Sequence, residues 1–293
     1  MRISELSRKL EGRLRLGIIG HGFVGKAVDY GFSNTKVHKK IIDPKYGHTD
    51  EDTLSLVDSN ADLIFVCVPT PMGDDGDIDT SILDSVMNIL SNCNKETLIV
   101  IKSTVTPSVI EMYTGMCNVV YNPEFLTEKS ACEQFVNPEF HIFGGNEDKT
   151  ELLESYYDKY SLCNWCPSYH MTLEEASFVK YTINSFLATK VTFFNQLYDV
   201  CRSHGNVNFN KIIKAVGADE RIAPSHTKVP GFDGKQGYGG ACFPKDTLAF
   251  SKYSKELTLL NKAIEINNNY RSQYERDDRE KEQNIQFNHV QND

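Results

Sequence analysis

Leu14-Arg15-Leu16-Gly17-Ile18-Ile19-Gly20-His21-Gly22-Phe23-Val24-Gly25 is the stretch on which the fold turns. A short apolar run, Leu14 to Ile19, leads straight into Gly-x-Gly-x-x-Gly, and Lys26 to Phe32 then reads as a helix. The glycine pattern alone is a weak signal, but between a strand and a helix it predicts a dinucleotide-binding turn. Gly20 makes the tight turn, Gly22 lets the backbone approach a pyrophosphate, and Gly25 lets helix and strand pack closely. The helix N-terminus offers free N–H groups and a positive dipole end to that anion. A second strand, Lys39 to Ile42, ends at Asp43, 18 residues after Gly25. A carboxylate there can accept from both hydroxyls of an adenosine ribose and repel a 2′-phosphate, which favours NAD over NADP. Lys45 is a contrary charge nearby, and Asp43 also reads as an ordinary turn residue before Pro44.

Working outward, Asp62 to Val68 is a nearly continuous apolar run, as in a parallel sheet buried on both faces. It ends at Pro69-Thr70-Pro71. Thr97 to Ile101 ends in Lys102-Ser103-Thr104, and Asn118 to Tyr121 ends in Asn122-Pro123-Glu124-Phe125-Leu126-Thr127-Glu128. Phe140 to Phe143 closes the series before Gly144-Gly145. Helical segments at 50–60, Thr80 to Leu90 and Pro107 to Thr114 alternate with these strands. The alternation predicts the α/β class, a Rossmann-type doubly wound parallel sheet over residues 1–150. Three successive strands end in polar loops, on the edge where such sheets bind ligands.

Beyond residue 150 the pattern becomes helical. Lys149 to Lys159 is one helix. Thr172-Leu173-Glu174-Glu175 forms a capping-box pattern, and a long helix runs from there to His204. Ala176, Val179, Ile183, Phe186, Leu187, Val191, Phe194 and Leu197 recur in it at three- and four-residue steps, which reads as a core stripe. Lys180 and Asn184 share one face. Beside such a stripe Lys180 reads either as a snorkelling surface residue, the commoner case, or as a catalytic one. Asn210 to Ala215 is a shorter helix, Ala218 to Gln236 a long Gly- and Pro-containing loop, and Pro244 to Asn268 a helix. A helical central domain is therefore expected over 151–269. The polar, charged segment 270–293 is expected to be disordered.

Gly237-Tyr238-Gly239-Gly240-Ala241-Cys242-Phe243-Pro244-Lys245-Asp246 is the second chemical landmark. Pro244 suits the first turn of a helix, which puts Cys242 just before a helix N-terminus, where thiolates are favoured. Lys245 adds charge and Asp246 can handle a proton. The bland alternative is a glycine-rich turn with a buried cysteine.

Composition narrows the class. The chain has 293 residues, 40% of them hydrophobic, enough for a sizeable core. No apolar run approaches the roughly 18 residues of a membrane span, and Met1 to Arg13 has no apolar core of a secretory signal. The net charge of −9 disfavours a nucleic-acid partner. Eight irregularly spaced cysteines, Cys67 among them inside a strand pattern, suit a reducing, cytoplasmic setting. Cys163-Asn164-Trp165-Cys166 lacks a second ligand pair at zinc spacing, so no metal site is read from it.

These segments together resemble the nucleotide-sugar dehydrogenase family. The specific carriers are Asn122-Pro123-Glu124-Phe125-Leu126 with Glu128, and Gly239-Gly240-Ala241-Cys242-Phe243-Pro244-Lys245-Asp246. Val68 to Pro71, Lys102 to Pro107 and Lys180 to Ala188 match as well. The resemblance implies oxidation of a sugar C6 alcohol to a carboxylate with two NAD per turnover. UDP-glucose, GDP-mannose and UDP-N-acetyl-mannosamine are the candidate substrates, and a silent binding remnant or a single-step hydroxyacid dehydrogenase are the alternatives. It implies Cys242 as nucleophile, Lys180 with Asn184 as oxyanion stabilisers, Asp246 and Thr104 on a water, and Glu124 as a candidate base. For the cofactor it implies Gly20, Gly22, Val24, Gly25, Asp43, Thr70, Thr104, Glu128 and Lys245. For the substrate it implies Glu124, Phe125, Leu126, Lys180, Asn184, Gly239 and Arg221, the last reaching the substrate of the neighbouring subunit in a homodimer or higher homo-oligomer built on the long central helix. Family members continue into a second α/β domain, so this chain is expected to lack the nucleotide-gripping C-terminal domain.

Overall fold

The computed structural model describes residues 12–58, 61–116 and 118–287. The readings made for residues 1–11 and 288–293 lie outside the described residues. The chain forms two compact units, Met1–Thr70 with Thr80–Lys180, and Pro71–Asp79 with Tyr181–Asp293.

The first unit is a seven-stranded sheet of order β2-β1-β3-β4-β5-β6-β7. Its strands are β1 Leu14–Ile19, β2 Val37–Ile42, β3 Leu63–Val66, β4 Leu98–Ile101, β5 Val119–Tyr121, β6 His141–Gly145 and β7 Ser168–Met171. The apolar runs become strands because they can be buried on both faces. Every residue of β3, β4 and β5 is buried. β1 pairs in parallel with β2 on one side and β3 on the other, so the chain reverses its direction of travel across the sheet at β1. Open α/β sheets leave a ligand crevice at this point, outside the strands' carboxyl ends. The core on the helix Phe23–Gly31 side includes Ile18, Ala27, Val28, Phe32, Phe65, Phe135 and Tyr157.

Three features correct the sequence reading here. The sheet is not wholly parallel, because β6 runs antiparallel to β5, with Val120 opposite Gly145 and Tyr121 opposite Gly144. Gly145 sits at φ 149, a conformation that a side chain disfavours. A Cβ on Gly144 would lie 2.6 Å from the Ala176 Cβ, so the glycine pair permits the close approach. Secondly, β7 continues the sheet, parallel to β6. It is a short, half-exposed edge strand without alternation, so its sequence carried no signal. The unit consequently runs to Lys180 rather than 150. Thirdly, the helix Ala131–Val136 lies in a stretch to which the sequence reading assigned no element.

The second unit contains most of the long helix Leu173–Ser203, then Phe209–Val216, Phe243–Tyr253, Thr258–Arg271 and Asp278–Glu282. The capping box at the head of the long helix is formed from both sides: Glu175 N donates to Thr172 Oγ1 at 3.2 Å, and Thr172 N donates to Glu175 Oε2 at 2.8 Å. The single helix expected from Pro244 to Asn268 is two. Ser254 leaves the helix at φ −144, and its Oγ accepts from Glu256 N at 3.2 Å, a local bond that competes with the helix ladder. The tail also differs from expectation. Tyr270 and Arg271 finish a helix, Asp277 caps another, and Ile285 and Phe287 pack with Met72 and Leu248. Isolated apolar residues in a charged segment gave no periodic signal, yet Ile285 and Phe287 both find buried partners.

Candidate active site

The dinucleotide turn has the geometry its sequence called for. Gly20 stands at φ 86, and a Cβ there would lie 2.6 Å from Cys67 O. A Cβ on Gly25 would lie 1.9 Å from Gly20 O, so strand and helix touch backbone to backbone. Gly22, by contrast, would meet nothing within 4 Å. It caps the helix Phe23–Gly31, whose first turn holds no acidic side chain. An open glycine at such a helix start is a cradle for a pyrophosphate. Val24 lies in that first turn.

Asp43 ends β2. Its Oδ2 accepts from His21 N at 2.5 Å and its Oδ1 from Lys45 N at 2.8 Å. It is thus both the turn residue and a carboxylate tied to the glycine loop, each oxygen retaining acceptor capacity for a ribose hydroxyl. Lys45 is exposed. These residues fit a dinucleotide that carries a free 2′-hydroxyl.

The loops after β3, β4 and β5 are joined to one another. Thr70 Oγ1 donates to Thr104 O at 2.8 Å, and Ser103 Oγ donates to Val68 O at 2.7 Å. Lys180 is 3% exposed, so it is no snorkelling surface residue. Its Nζ donates to Glu124 O at 2.5 Å, lies 3.5 Å from Glu124 Oε1 and stands 5.2 Å from the Phe125 ring centre. Glu124 is itself buried, and its Oε2 accepts from Leu126 N at 2.6 Å. The Glu124-Phe125-Leu126 turn therefore wraps one buried cation. Glu128 begins a short exposed 3-10 turn, Glu128–Ser130.

Behind this turn lies a polar cluster that the sequence did not reveal. Lys102 Nζ and Tyr157 OH both donate to Asn122 Oδ1, each at 2.8 Å, while Asn122 Nδ2 donates to Ile142 O at 2.9 Å. Asn122 is the first residue of the Glu124 turn, and it is fixed from three sides. Burial pulls the Lys102 ammonium down to about 8. Burial, with the Lys102 charge beside it, pulls His141 down to about 4.

In the second unit Cys242 is the N-cap of Phe243–Tyr253, with Pro244 in the first turn. Asp246 is 1% exposed and holds two of the expected residues. Lys245 Nζ donates to its Oδ1 at 2.6 Å, and Asn184 Nδ2 donates to its Oδ2 at 2.6 Å. Asp246 N donates to Cys242 O at 2.9 Å, the first turn of the helix. Gly239 lies against Arg271 and Glu280. Arg221, with a side chain 88% exposed, is bidentate on Asp219 through Nε at 3.0 Å and Nη2 at 2.7 Å. Cys163 donates to Phe135 O at 3.1 Å and packs on the core, which accounts for one half of the C-x-x-C.

Two domain models of one family match this chain in series. Residues 48–161 match the NAD binding domain, and residues 174–269 match the central domain, of the UDP-glucose/GDP-mannose dehydrogenase family. The chain belongs to the UDP-glucose/GDP-mannose dehydrogenase family. The match to its NAD binding domain identifies the cofactor as NAD. Among the family's curated members, UDP-glucose 6-dehydrogenase of Rickettsia felis is 36% identical over 202 residues, covering 66% of this chain and 43% of that protein. UDP-glucose 6-dehydrogenase TuaD of Bacillus subtilis is 31% identical over 251 residues, 80% of this chain and 52% of the other. The chain thus spans about half the length of these relatives. A UDP-glucose dehydrogenase structure from Pyrobaculum islandicum superposes with a TM-score of 0.72 at 26% identity, covering 87% of this chain and 68% of that one. No helix among the described residues is long and apolar enough to cross a membrane.

Proposed function

We propose that this chain carries the NAD-binding and thiol-bearing parts of a two-step UDP-glucose 6-dehydrogenase, converting UDP-glucose to UDP-glucuronate. The observation that carries the reading is Cys242 at the head of Phe243–Tyr253, in whose first turn the carboxylate of Asp246 is held by Lys245 and Asn184. NAD, when bound, accepts hydride from the C6 carbon in each of two oxidations. The protein's residues do the rest. The first oxidation turns the alcohol into an aldehyde and releases a proton. The Cys242 thiolate adds to the aldehyde carbon, forming a C–S bond. Loss of the second hydride from that thiohemiacetal leaves a thioester. Water then cleaves the C–S bond, giving the acid and restoring the thiol.

Lys180, a buried cation braced by Glu124 O and the Phe125 ring, is assigned the developing negative charge on the sugar oxygen, where a fixed donor is effective. Asn184, oriented by Asp246, is assigned to the same task. Asp246 and Thr104 are assigned to positioning the water, and Glu124 is the candidate base for thioester hydrolysis. Gly22, Val24 and Asp43 are assigned to the dinucleotide, and the resemblance adds Thr70, Glu128 and Lys245. The active form is assigned as a homodimer. Phe186, which the periodicity put in the core stripe, instead recurs with Phe193 and Val200 at seven-residue steps along Leu173–Ser203, the three being 67%, 60% and 52% exposed, an apolar stripe suited to a second copy of the chain. Arg221, turned to solvent, then serves the neighbouring subunit. A cytoplasmic setting is assigned from the irregularly spaced cysteines, Cys67 among them within the strand region.

The test is purified protein with NAD and a panel of nucleotide sugars, following NADH and acid product. The expected result is two NADH per UDP-glucose, with Cys242→Ser losing acid while hydride exchange between alcohol and aldehyde persists. Full acid production by Cys242→Ser would overturn the cysteine mechanism. Turnover of GDP-mannose or UDP-N-acetyl-mannosamine in place of UDP-glucose would reassign the sugar.

A further inference from the structure

We propose that Glu280, paired with Arg271, is a positioning residue for the thiol loop, and that 277–287 form a strap setting the geometry of Gly237 to Cys242. The importance of that loop rests on the reading of Cys242 as nucleophile.

The loop cannot hold its own shape. Gly237 and Gly240 stand at φ 75 and φ 78, and the backbone N–H groups of this stretch are satisfied largely by side chains from distant helices. Gly237 N donates to Asn195 Oδ1 at 3.0 Å. Tyr238 N donates to Asn267 Oδ1 at 2.7 Å, and Asn267 Nδ2 donates back to Tyr238 O at 3.0 Å. Gly240 N, two residues before the thiol, donates to Glu280 Oε1 at 3.0 Å.

Glu280 is fully buried, at 0% exposure. Its Oε1 also accepts from Arg271 Nη2 at 2.5 Å, and its Oε2 accepts from Asp277 N at 2.9 Å. Arg271, 1% exposed, reaches Asp233 Oδ2 with Nη1 at 2.6 Å. The pair presses on the loop: a Cβ on Gly239 would lie 2.1 Å from Arg271 Nη2 and 2.4 Å from Glu280 Oε1. A buried ion pair contributes little net stability compared with apolar residues of the same volume. What this one supplies is a fixed acceptor at the backbone of Gly240.

The strap is fastened at its far end. Met72 N donates to Gln283 O at 3.0 Å, and Asn284 Nδ2 donates to Met72 O at 3.0 Å. Ile285 and Phe287 pack on Met72 and on Leu248, a residue of the helix that Cys242 caps. Arg276 Nη1 donates to Ile285 O at 2.8 Å. One short segment thus grips the thiol loop at Gly240 and the thiol helix at Leu248.

The experiment compares the full chain with Glu280→Ala and Glu280→Gln. It measures Cys242 alkylation by iodoacetamide, resolved by peptide mass spectrometry, and amide exchange of Gly237 to Cys242. Neither needs substrate or NAD, so a chain inactive on every sugar still answers. In Glu280→Ala, alkylation is expected to rise at least about threefold with a displaced pH–rate profile, and Gly240 protection to fall at least about tenfold. Exchange in β3 and β4 stays unchanged. Glu280→Gln, which keeps an acceptor for Gly240 N, falls between. Variants that only melt earlier, with the same alkylation profile and Gly240 protection, overturn the proposal. Should the variants fail to fold, exchange of the unaltered chain in low denaturant decides. Gly240 must open together with the strap amides of Lys281 and Ile285. Protection of Gly240 that outlasts them refutes the strap.

Discussion

Lys102→Met isolates the electrostatic cost behind the Glu124 turn. Lys102 is 4% exposed, and burial pulls it from 10.5 to about 8. A lysine lowered on folding binds fewer protons in the native state than in the unfolded one. Stability therefore rises with pH between the two values, and the burden is complete below about pH 8. That drop corresponds to roughly 3 kcal/mol. Linkage places about 2 kcal/mol of its recovery between pH 7 and 9.5. Methionine keeps the stem and has no proton to lose, and Asn122 Oδ1 retains the Tyr157 hydroxyl. The difference between the two proteins should therefore move by about 2 kcal/mol over that interval, or about 4–8 °C in melting temperature for a unit of this size. Melts followed by circular dichroism at matched ionic strength measure it. Using the difference removes every titration the two proteins share. Parallel curves from pH 7 to 9.5 would refute the assignment of a charged, desolvated lysine here.

Two further outcomes test the cofactor turn and the assembly. Gly25→Ala sets a methyl against Gly20 O, a backbone atom that no rotamer change can move. The expected result is a stability loss of about 1–3 kcal/mol and NAD affinity weakened at least about tenfold by fluorescence titration; unaltered NAD affinity would remove the close strand–helix contact from the binding argument. Phe193→Glu puts a charge in the exposed stripe of Leu173–Ser203 and is expected to yield monomers in sedimentation while leaving NAD affinity intact. A dimer that persists would place the interface elsewhere.

Where chemistry is local, the sequence already carried the answer. The strand Leu14–Ile19, the glycine turn and the helix start are bonded to near neighbours, so their spacing is their structure. The same holds for the Thr172–Glu175 box and for Cys242 at a helix head. Resemblance singled out Lys180 and Glu124 as site residues, and the fold then showed them in contact, 56 positions apart. The rest needed the folded chain. Glu280 and Arg271 fall in the tail that was expected to be disordered, and only folding shows them buried against Gly239 and Gly240. Lys102, Asn122 and Tyr157 meet from separate elements. The antiparallel β6 and the edge strand β7 follow from pairing, not from propensity. Periodicity records which face of an element is apolar. It does not record which distant carboxylate will accept from a given backbone N–H, and the shape of the thiol loop is set by bonds of that second kind.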